Sequence, residues 1–360
     1  MTPAPPGRPV PAVAATVADL TPEWCTAALG RPVTAVTATR VGTGQIGLCF
    51  RLDLTYADDG AGTPGPASLV AKLAAPDVTA GAQVSEGYVK EVAFYTSIVG
   101  SLAVTVPHCW YGAVADDGAT FTLLLDDLAP ARPGVQADGC TIAEAEAAVA
   151  NLVGLHAPRW NDPDLLALGV LDRFGADGAE FLGAIHEQMT EQFVARYADV
   201  LDAADVATLR AAAAATARWI VARPEPFAVV HGDYRLDNQM FGADGSVHAL
   251  DWQTVSIGPP ARDLAYFLGT CLHTDDRRRH EAALVERYAS ALVGVGVPAA
   301  DVAGIFDDYR LGQFQGPLIT VLGSEFATVE RTPAADGMFL AMARRSCAAI
   351  RDLDALALVG

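Results

Sequence analysis

Residues 229–241 read Val229-Val230-His231-Gly232-Asp233-Tyr234-Arg235-Leu236-Asp237-Asn238-Gln239-Met240-Phe241, and thirteen positions beyond Asn238 comes Asp251, in His248-Ala249-Leu250-Asp251-Trp252-Gln253. Apolar runs bracket a polar loop holding a histidine, two aspartates and an asparagine. Carboxylate and amide oxygens gathered between short strands suit two tasks: taking a proton from a hydroxyl, and holding a hard cation such as Mg2+. Asp and Asn also favour plain turns. The neighbouring chain has to separate these alternatives.

Upstream, Gly42-Thr43-Gly44-Gln45-Ile46-Gly47 has the spacing G-x-G-x-x-G. A dinucleotide fold would place a helix directly after it. Here Leu48, Phe50, Leu52 and Leu54 alternate with polar residues instead, the period of a half-buried strand. Strand, glycine loop and strand is the hairpin that covers ATP phosphates in kinases, where missing Cβ atoms let backbone amides approach. A Walker loop is excluded, because neither lysine of the chain, Lys72 or Lys90, follows a glycine. Lys72, in Leu69-Val70-Ala71-Lys72-Leu73, resembles the V-A-I-K pattern whose lysine holds the α- and β-phosphates. Its partner is expected on the next helix, with Glu91 best placed and Glu86 as the fallback.

In this order the motifs resemble the catalytic loop H-G-D-x-x-x-x-N and the metal-binding aspartate of the aminoglycoside phosphotransferase and choline kinase superfamily. Asp251-Trp252-Gln253 and Arg262-Asp263-Leu264-Ala265-Tyr266-Phe267-Leu268 are most similar to its ecdysteroid-kinase-like branch, which has many bacterial members. The resemblance implies an α+β, bilobal protein-kinase-like fold with a small antiparallel-sheet N-lobe and a larger α-rich C-lobe. It implies ATP and Mg2+ as cofactors, Asp233 as the base, and Asn238 and Asp251 as Mg2+ ligands. Gly42, Gly44, Gly47, Lys72 and Glu91 would serve the phosphates, and backbone groups of Leu125, Asp126, Asp127 and Leu128 the adenine. His231 would be structural, and Asp263 would accept backbone amides of the catalytic loop.

Gly232 stands where protein kinases carry an arginine that reads a phosphorylated loop, and the stretch from Asp251 to Asp263 is too short for such a loop. The acceptor is therefore expected to be a small molecule bearing a hydroxyl. Tyr234, Arg235, Asp307, Asp308, Tyr309, Gln313, Gln315 and Glu325 are candidate wall positions; Asp307 and Asp308 would receive a cationic aminoglycoside or aminosugar, and a neutral hydroxylated metabolite such as another antibiotic, a nucleoside or a sterol-like compound is the competing acceptor. A nucleotide-binding pseudokinase scaffold is the alternative, and the full set of catalytic residue types weighs against it.

Bulk properties agree. The 360 residues carry a net charge of −19, which argues against a nucleic-acid partner, since phosphate backbones need clustered Lys and Arg. The six cysteines are scattered, without a C-x-x-C pair, as reduced thiols of a cytoplasmic protein would be. The sequence shows neither a signal peptide nor a membrane span, and a monomer or homodimer is expected. Boundaries are read as a loose tail over 1–16, an N-lobe over 17–125, a hinge over 126–133 and a C-lobe over 134–360. Helices are expected over 83–99, 141–156, 179–200, 203–221, 276–293, 300–322 and 334–358.

Overall fold

The alternating strands at the start of the chain form an antiparallel sheet. The computed structural model describes residues 11–42, 47–57, 65–75, 82–326 and 331–359, the side chains of 82 and 83 excepted. These form two compact units, one from the described residues of 1–100, 106–130 and 251–254, the other from those of 101–105, 131–250 and 255–360.

In the first unit a short helix α1 (Pro22–Leu29) is capped by the Thr21 hydroxyl and ends on Gly30 at φ 70°, a left-handed position that glycine takes without strain. The strands are β1 (Val33–Val41), β2 (Gly47–Tyr56), β3 (Ser68–Ala74), β4 (Cys109–Val114) and β5 (Phe121–Asp126), in the order β1-β2-β3-β5-β4. Leu52, Leu54, Leu69, Ala71, Leu73, Tyr111 and Leu124 make its core with Leu20 and Cys25 of the preceding segment. Lys72 lies opposite Cys49 on β2 and Leu123 on β5, so its backbone sits inside the sheet. Helix α2 (Ala82–Ala93) runs on into a π-helical stretch, Phe94–Ile98.

The expected loose tail needs correction for its described part. Ala14 is buried and exchanges both its backbone hydrogen bonds with the Thr122 hydroxyl, while the carbonyls of Pro11 and Ala12 accept from Tyr111 and Trp24. Residues 11–14 are thus docked on the sheet.

In the second unit a strand pair β6 (Arg132–Pro133) precedes α3 (Ile142–His156), which opens with a reciprocal Thr141–Glu144 capping box. Then come α4 (Ala176–Arg196), α5 (Ala203–Ala222), β7 (Ala228–Val230), β8 (Gln239–Phe241), β9 (Val247–Ala249), β10 (Ser256–Gly258) and α6 (Ala261–Cys271). The chain finishes with α7 (Thr274–Gly294), α8 (Ala299–Val302), α9 (Ile305–Gly312), α10 (Gln315–Phe326) and α11 (Pro333–Asp352). β7 pairs with β10, and β8 lies between β6 and β9. The loop 231–238 therefore leaves one small sheet and enters another, which fixes both its ends.

The single helix expected over 300–322 is instead three. Gly304 precedes α9, and α9 ends at Gly312, whose missing Cβ would lie 2.7 Å from the Ala261 carbonyl oxygen. Close packing on α6 therefore breaks the run, and Pro317, without an N–H, sits in the first turn of α10.

Candidate active site

Within the first unit, the Lys72 ammonium is held between two carboxylates, with Nζ donating to Glu91 Oε1 at 2.7 Å and to Asp251 Oδ1 at 2.9 Å. Burial alone would push the ammonium pKa down, but the charges of Asp251 and Glu91 outweigh it and hold Lys72 above its ordinary range. Lys72 thus stays a cation. Burial pushes the Glu91 carboxyl up, against the pull of Lys72. Glu91 also accepts from Gln253 Nε2 at 3.3 Å. Glu86, the fallback partner, pairs with Lys90 one helical turn on.

Asp251 sits at φ 62°, a left-handed conformation that a non-glycine residue keeps only when its surroundings require it. Its carboxylate is 45% exposed, and its neighbour Trp252 is fully buried, stacked on Phe94 with ring centroids 3.7 Å apart. The glycines divide. Gly42 takes φ 72°, a left-handed position that glycine adopts without strain. Gly47 leaves room for the Lys72 side chain, and Gly44 lies outside the described residues. At the expected hinge, Leu125 is buried, and the Asp126 amide already donates to the His108 carbonyl. The Asp126 carboxylate accepts from Trp110, and that of Asp127 from Arg51 and Ser68. Asp126 is therefore the last residue of a strand, and Asp127 and Leu128 are the ones left to offer backbone groups.

Within the second unit, Asp233 is held on both oxygens. Tyr266 donates its hydroxyl to Oδ1 at 2.7 Å, and Asn238 Nδ2 donates to Oδ2 at 3.0 Å and to the Asp233 carbonyl at 2.9 Å. Arg235 Nε lies 3.3 Å from Oδ2. A carboxylate offers about four lone-pair sites, so it keeps capacity for a further hydroxyl. The Asn238 amide has turned its NH2 inward, which makes its carbonyl oxygen the group it presents elsewhere.

Asp263, fully buried, accepts the amides of His231 at 2.6 Å and Gly232 at 2.9 Å. Burial would raise this carboxyl, but the hydrogen bond and charge of His156, with the His231 amide, hold it below the usual range. His156 links Asp263, at 3.2 Å, to the Tyr288 hydroxyl, at 2.7 Å. His231 bridges in turn: Nδ1 accepts the Asp233 amide at 3.3 Å and Nε2 donates to the Leu250 carbonyl at 2.9 Å. Leu250 also donates its amide to the Asn238 carbonyl, and it directly precedes Asp251 in the chain.

The wall expected from sequence is corrected at several positions. Tyr234 is fully buried with its hydroxyl on the Ala148 carbonyl, and Tyr309 and Gln313 are buried in the helical core. Gln315 donates to the Gly232 carbonyl at 2.8 Å, supporting the loop. Asp307 pairs with Arg310 and Asp308 with Arg223, so both carboxylates nominated for a cation already have an arginine partner, and Glu325 pairs with Arg196. Arg235 alone of the set touches Asp233. Tyr266 was quoted from sequence without a role, and His156, read from sequence as a helix-end histidine, does end α3 but also bonds Asp263. Tyr266 had a signal, lying three residues after Asp263 and so on the same helix face.

Asp251 of the first unit presents an exposed carboxylate, and Asn238 of the second an amide oxygen, each a donor type that Mg2+ accepts. A carboxylate and an amide oxygen are hard ligands that leave places for phosphates and water. Among the described residues no group of three or more His, Cys, Asp or Glu is arranged to hold a metal by itself. No helix of the described residues is long and apolar enough to cross a membrane.

Comparison with solved structures shows the same fold. A choline kinase from Cryptosporidium parvum superposes with a TM-score of 0.54 at 9% identity, covering 89% of this chain and 91% of that one. The GDP complex of aminoglycoside 2'-phosphotransferase-IIIa gives 0.53 at 14%, covering 87% and 93%. An ethanolamine kinase from Plasmodium vivax gives 0.52 at 11%, covering 87% and 82%. No curated protein matches the chain. Residues 42–295, well over half of its length, match the ecdysteroid kinase-like family, and with the site geometry above this places the chain in that family.

Proposed function

We propose that the chain is an ATP-dependent phosphotransferase that moves the γ-phosphoryl group onto a hydroxyl of a small molecule. The observation that carries this most directly is Lys72 clasped between Glu91 and Asp251, a buried cation kept charged beside an exposed carboxylate. Membership of the ecdysteroid kinase-like family supports this reading.

Phosphoryl transfer needs positioning and charge neutralisation more than covalent help. In this proposal Lys72 holds the α- and β-phosphates, with Glu91 fixing its ammonium. Asp251 and Asn238 each give an oxygen to Mg2+, which when bound neutralises phosphate charge. Asp127 and Leu128 offer backbone groups to the adenine. Asp233, fixed by Tyr266 and Asn238, orients the acceptor hydroxyl and takes its proton. Choline, ethanolamine and aminoglycosides, the acceptors named for proteins of this fold, form the first panel of candidates.

The test is ADP release from MgATP across hydroxylated amines, sugars, nucleosides, macrolides and aminoglycosides, with mass detection of the product. A phosphorylated acceptor whose formation needs Asp233 supports the proposal. Nucleotide binding without transfer to any acceptor or to water would favour the scaffold alternative.

A further inference from the structure

The loop from His231 to Asn238 has two halves, and they are held by different parts of the second unit. The first half hangs on α6: Asp263 takes the amides of His231 and Gly232, and Tyr266 takes Asp233. The second half hangs on residues 132–137, the segment that follows the Ala129-Pro130 bond at which the first unit ends.

That segment follows the chain closely from Leu236 to Phe241. Arg132 and Pro133 pair with Phe241 and Met240, and the Gly134 amide donates to the Gln239 carbonyl at 3.0 Å. A Cβ on Gly134 would lie 2.5 Å from the Leu236 carbonyl oxygen, so only glycine allows this approach. Gln136 completes the grip. Its amide donates to Asp237 Oδ1 at 2.8 Å, its Oε1 accepts the Leu236 amide at 2.9 Å, and its Nε2 donates to the Thr270 carbonyl at 3.0 Å. It is fully buried with both ends of its side chain in use.

Arg345 of α11 braces the segment from behind. It donates to the carbonyls of Gln136 at 2.9 Å, Thr270 at 3.1 Å and Ala137 at 2.8 Å. An arginine this buried, spent on three carbonyls, costs desolvation that is offset only if those carbonyls need fixing. Seven residues earlier on the same helix, Met338 Sδ accepts from Arg235 at 3.3 Å, so α11 touches the loop directly there and braces it through residues 136 and 137 at Arg345.

We propose that Gln136, braced by Arg345, is a positioning residue for the metal-binding half of the loop, setting Leu236 to Asn238, while Asp263 and Tyr266 of α6 hold the half that carries the base, to which Asn238 also donates. This rests on the proposed phosphotransfer for its kinetic consequence, though not for its structural one. Gln136→Met keeps the volume and removes all three side-chain hydrogen bonds, those with Leu236, Thr270 and the Cys271 thiol. Hydrogen–deuterium exchange of the full-length chain should be at least tenfold faster over residues 235–241 and unchanged over 228–234. The Mg2+ concentration for half-maximal ADP release from MgATP, with water as acceptor, should rise fivefold or more. Exchange unchanged over 235–241, or raised equally in both segments, overturns the assignment, and an unaltered Mg2+ requirement overturns its kinetic part. Gln136→Glu, which keeps the acceptor for the Leu236 amide, should retain that protection; losing it as Gln136→Met does would also count against the proposal. Should Gln136→Met not fold, Arg345→Lys is read by the same two segments, with a two- to fivefold acceleration over 235–241 expected and equal exchange overturning it. An Asp233→Asn control as active as wild type would sink the proposed reaction and leave the exchange result standing.

Discussion

The Cβ that Gly47 lacks would lie 2.9 Å from the Cε of Lys72. The third glycine of the loop therefore serves the lysine on the neighbouring strand, and an added methyl group must displace that side chain from between Glu91 and Asp251. Gly47→Ala is expected to raise the KM for ATP by about tenfold, the effect of ~1–2 kcal/mol of overpacking at a site with little slack. The melting temperature should move little. An ATP KM within twofold of wild type would show that the lysine has room to spare.

Asp233→Asn keeps size and one acceptor oxygen, so one of Tyr266 and Asn238 loses its acceptor there while Asn238 keeps its bond to the backbone carbonyl. It removes the proton acceptor. Turnover should fall ~10^2–10^4-fold, the usual worth of a placed general base, while nucleotide binding by calorimetry is unchanged. A variant with most of its turnover would remove Asp233 from the chemistry.

Asp251→Ala takes away one carboxylate of the Lys72 clasp and the proposed metal ligand together. Activity should become dependent on far higher Mg2+, while Lys72 keeps Glu91. Titrating Mg2+ at saturating ATP separates the two effects. A midpoint equal to wild type, with reduced turnover, would assign Asp251 to the lysine alone.

His186 gives a stability prediction away from the site. Burial in the helical core lowers its pKa to about 4, with the Pro317 carbonyl pulling weakly the other way. An unfolded histidine takes its proton near pH ~6.5. Between those values the unfolded chain binds more protons, so stability declines as pH falls through that window, by at most ~3 kcal/mol. Above it neither state is charged and the group is silent. In His186→Leu the decline between pH 7 and pH 4.5 in urea unfolding should be shallower by a similar amount. A slope identical to wild type would show that the imidazole titrates normally in the folded chain.

Local patterns were legible and long-range partners were not. Lys72, Glu91 and the 231–238 loop carry their spacing in the sequence, because neighbouring strands and a single loop bring them together. Gln136 meets Leu236 from 100 positions away and His156 meets Asp263 from 107, and no periodicity announces such pairs. The break at Gly312 was legible only in part: Gly304, Gly312, Gly316 and Pro317 are poor residues for a helix interior, but how closely α6 approaches Gly312 is not written in the local sequence. The arginines that neutralise Asp308 and Glu325 come from α10's neighbours in space, Arg223 and Arg196, so the charge pattern along α9 alone misled.

The ring pair formed by Phe94 and Trp252 has a practical consequence. Trp252 is fully buried, adjoins Asp251 in the chain and lies nearly parallel to its partner, at 9°. Only five tryptophans are present, and Trp24, Trp110, Trp160 and Trp219 are remote from it in sequence. With those four replaced by phenylalanine, Trp252 becomes a native fluorophore whose quenching follows the segment beside the proposed metal ligand. Nucleotide and Mg2+ could then be titrated optically on the unlabelled chain, before any acceptor has been identified.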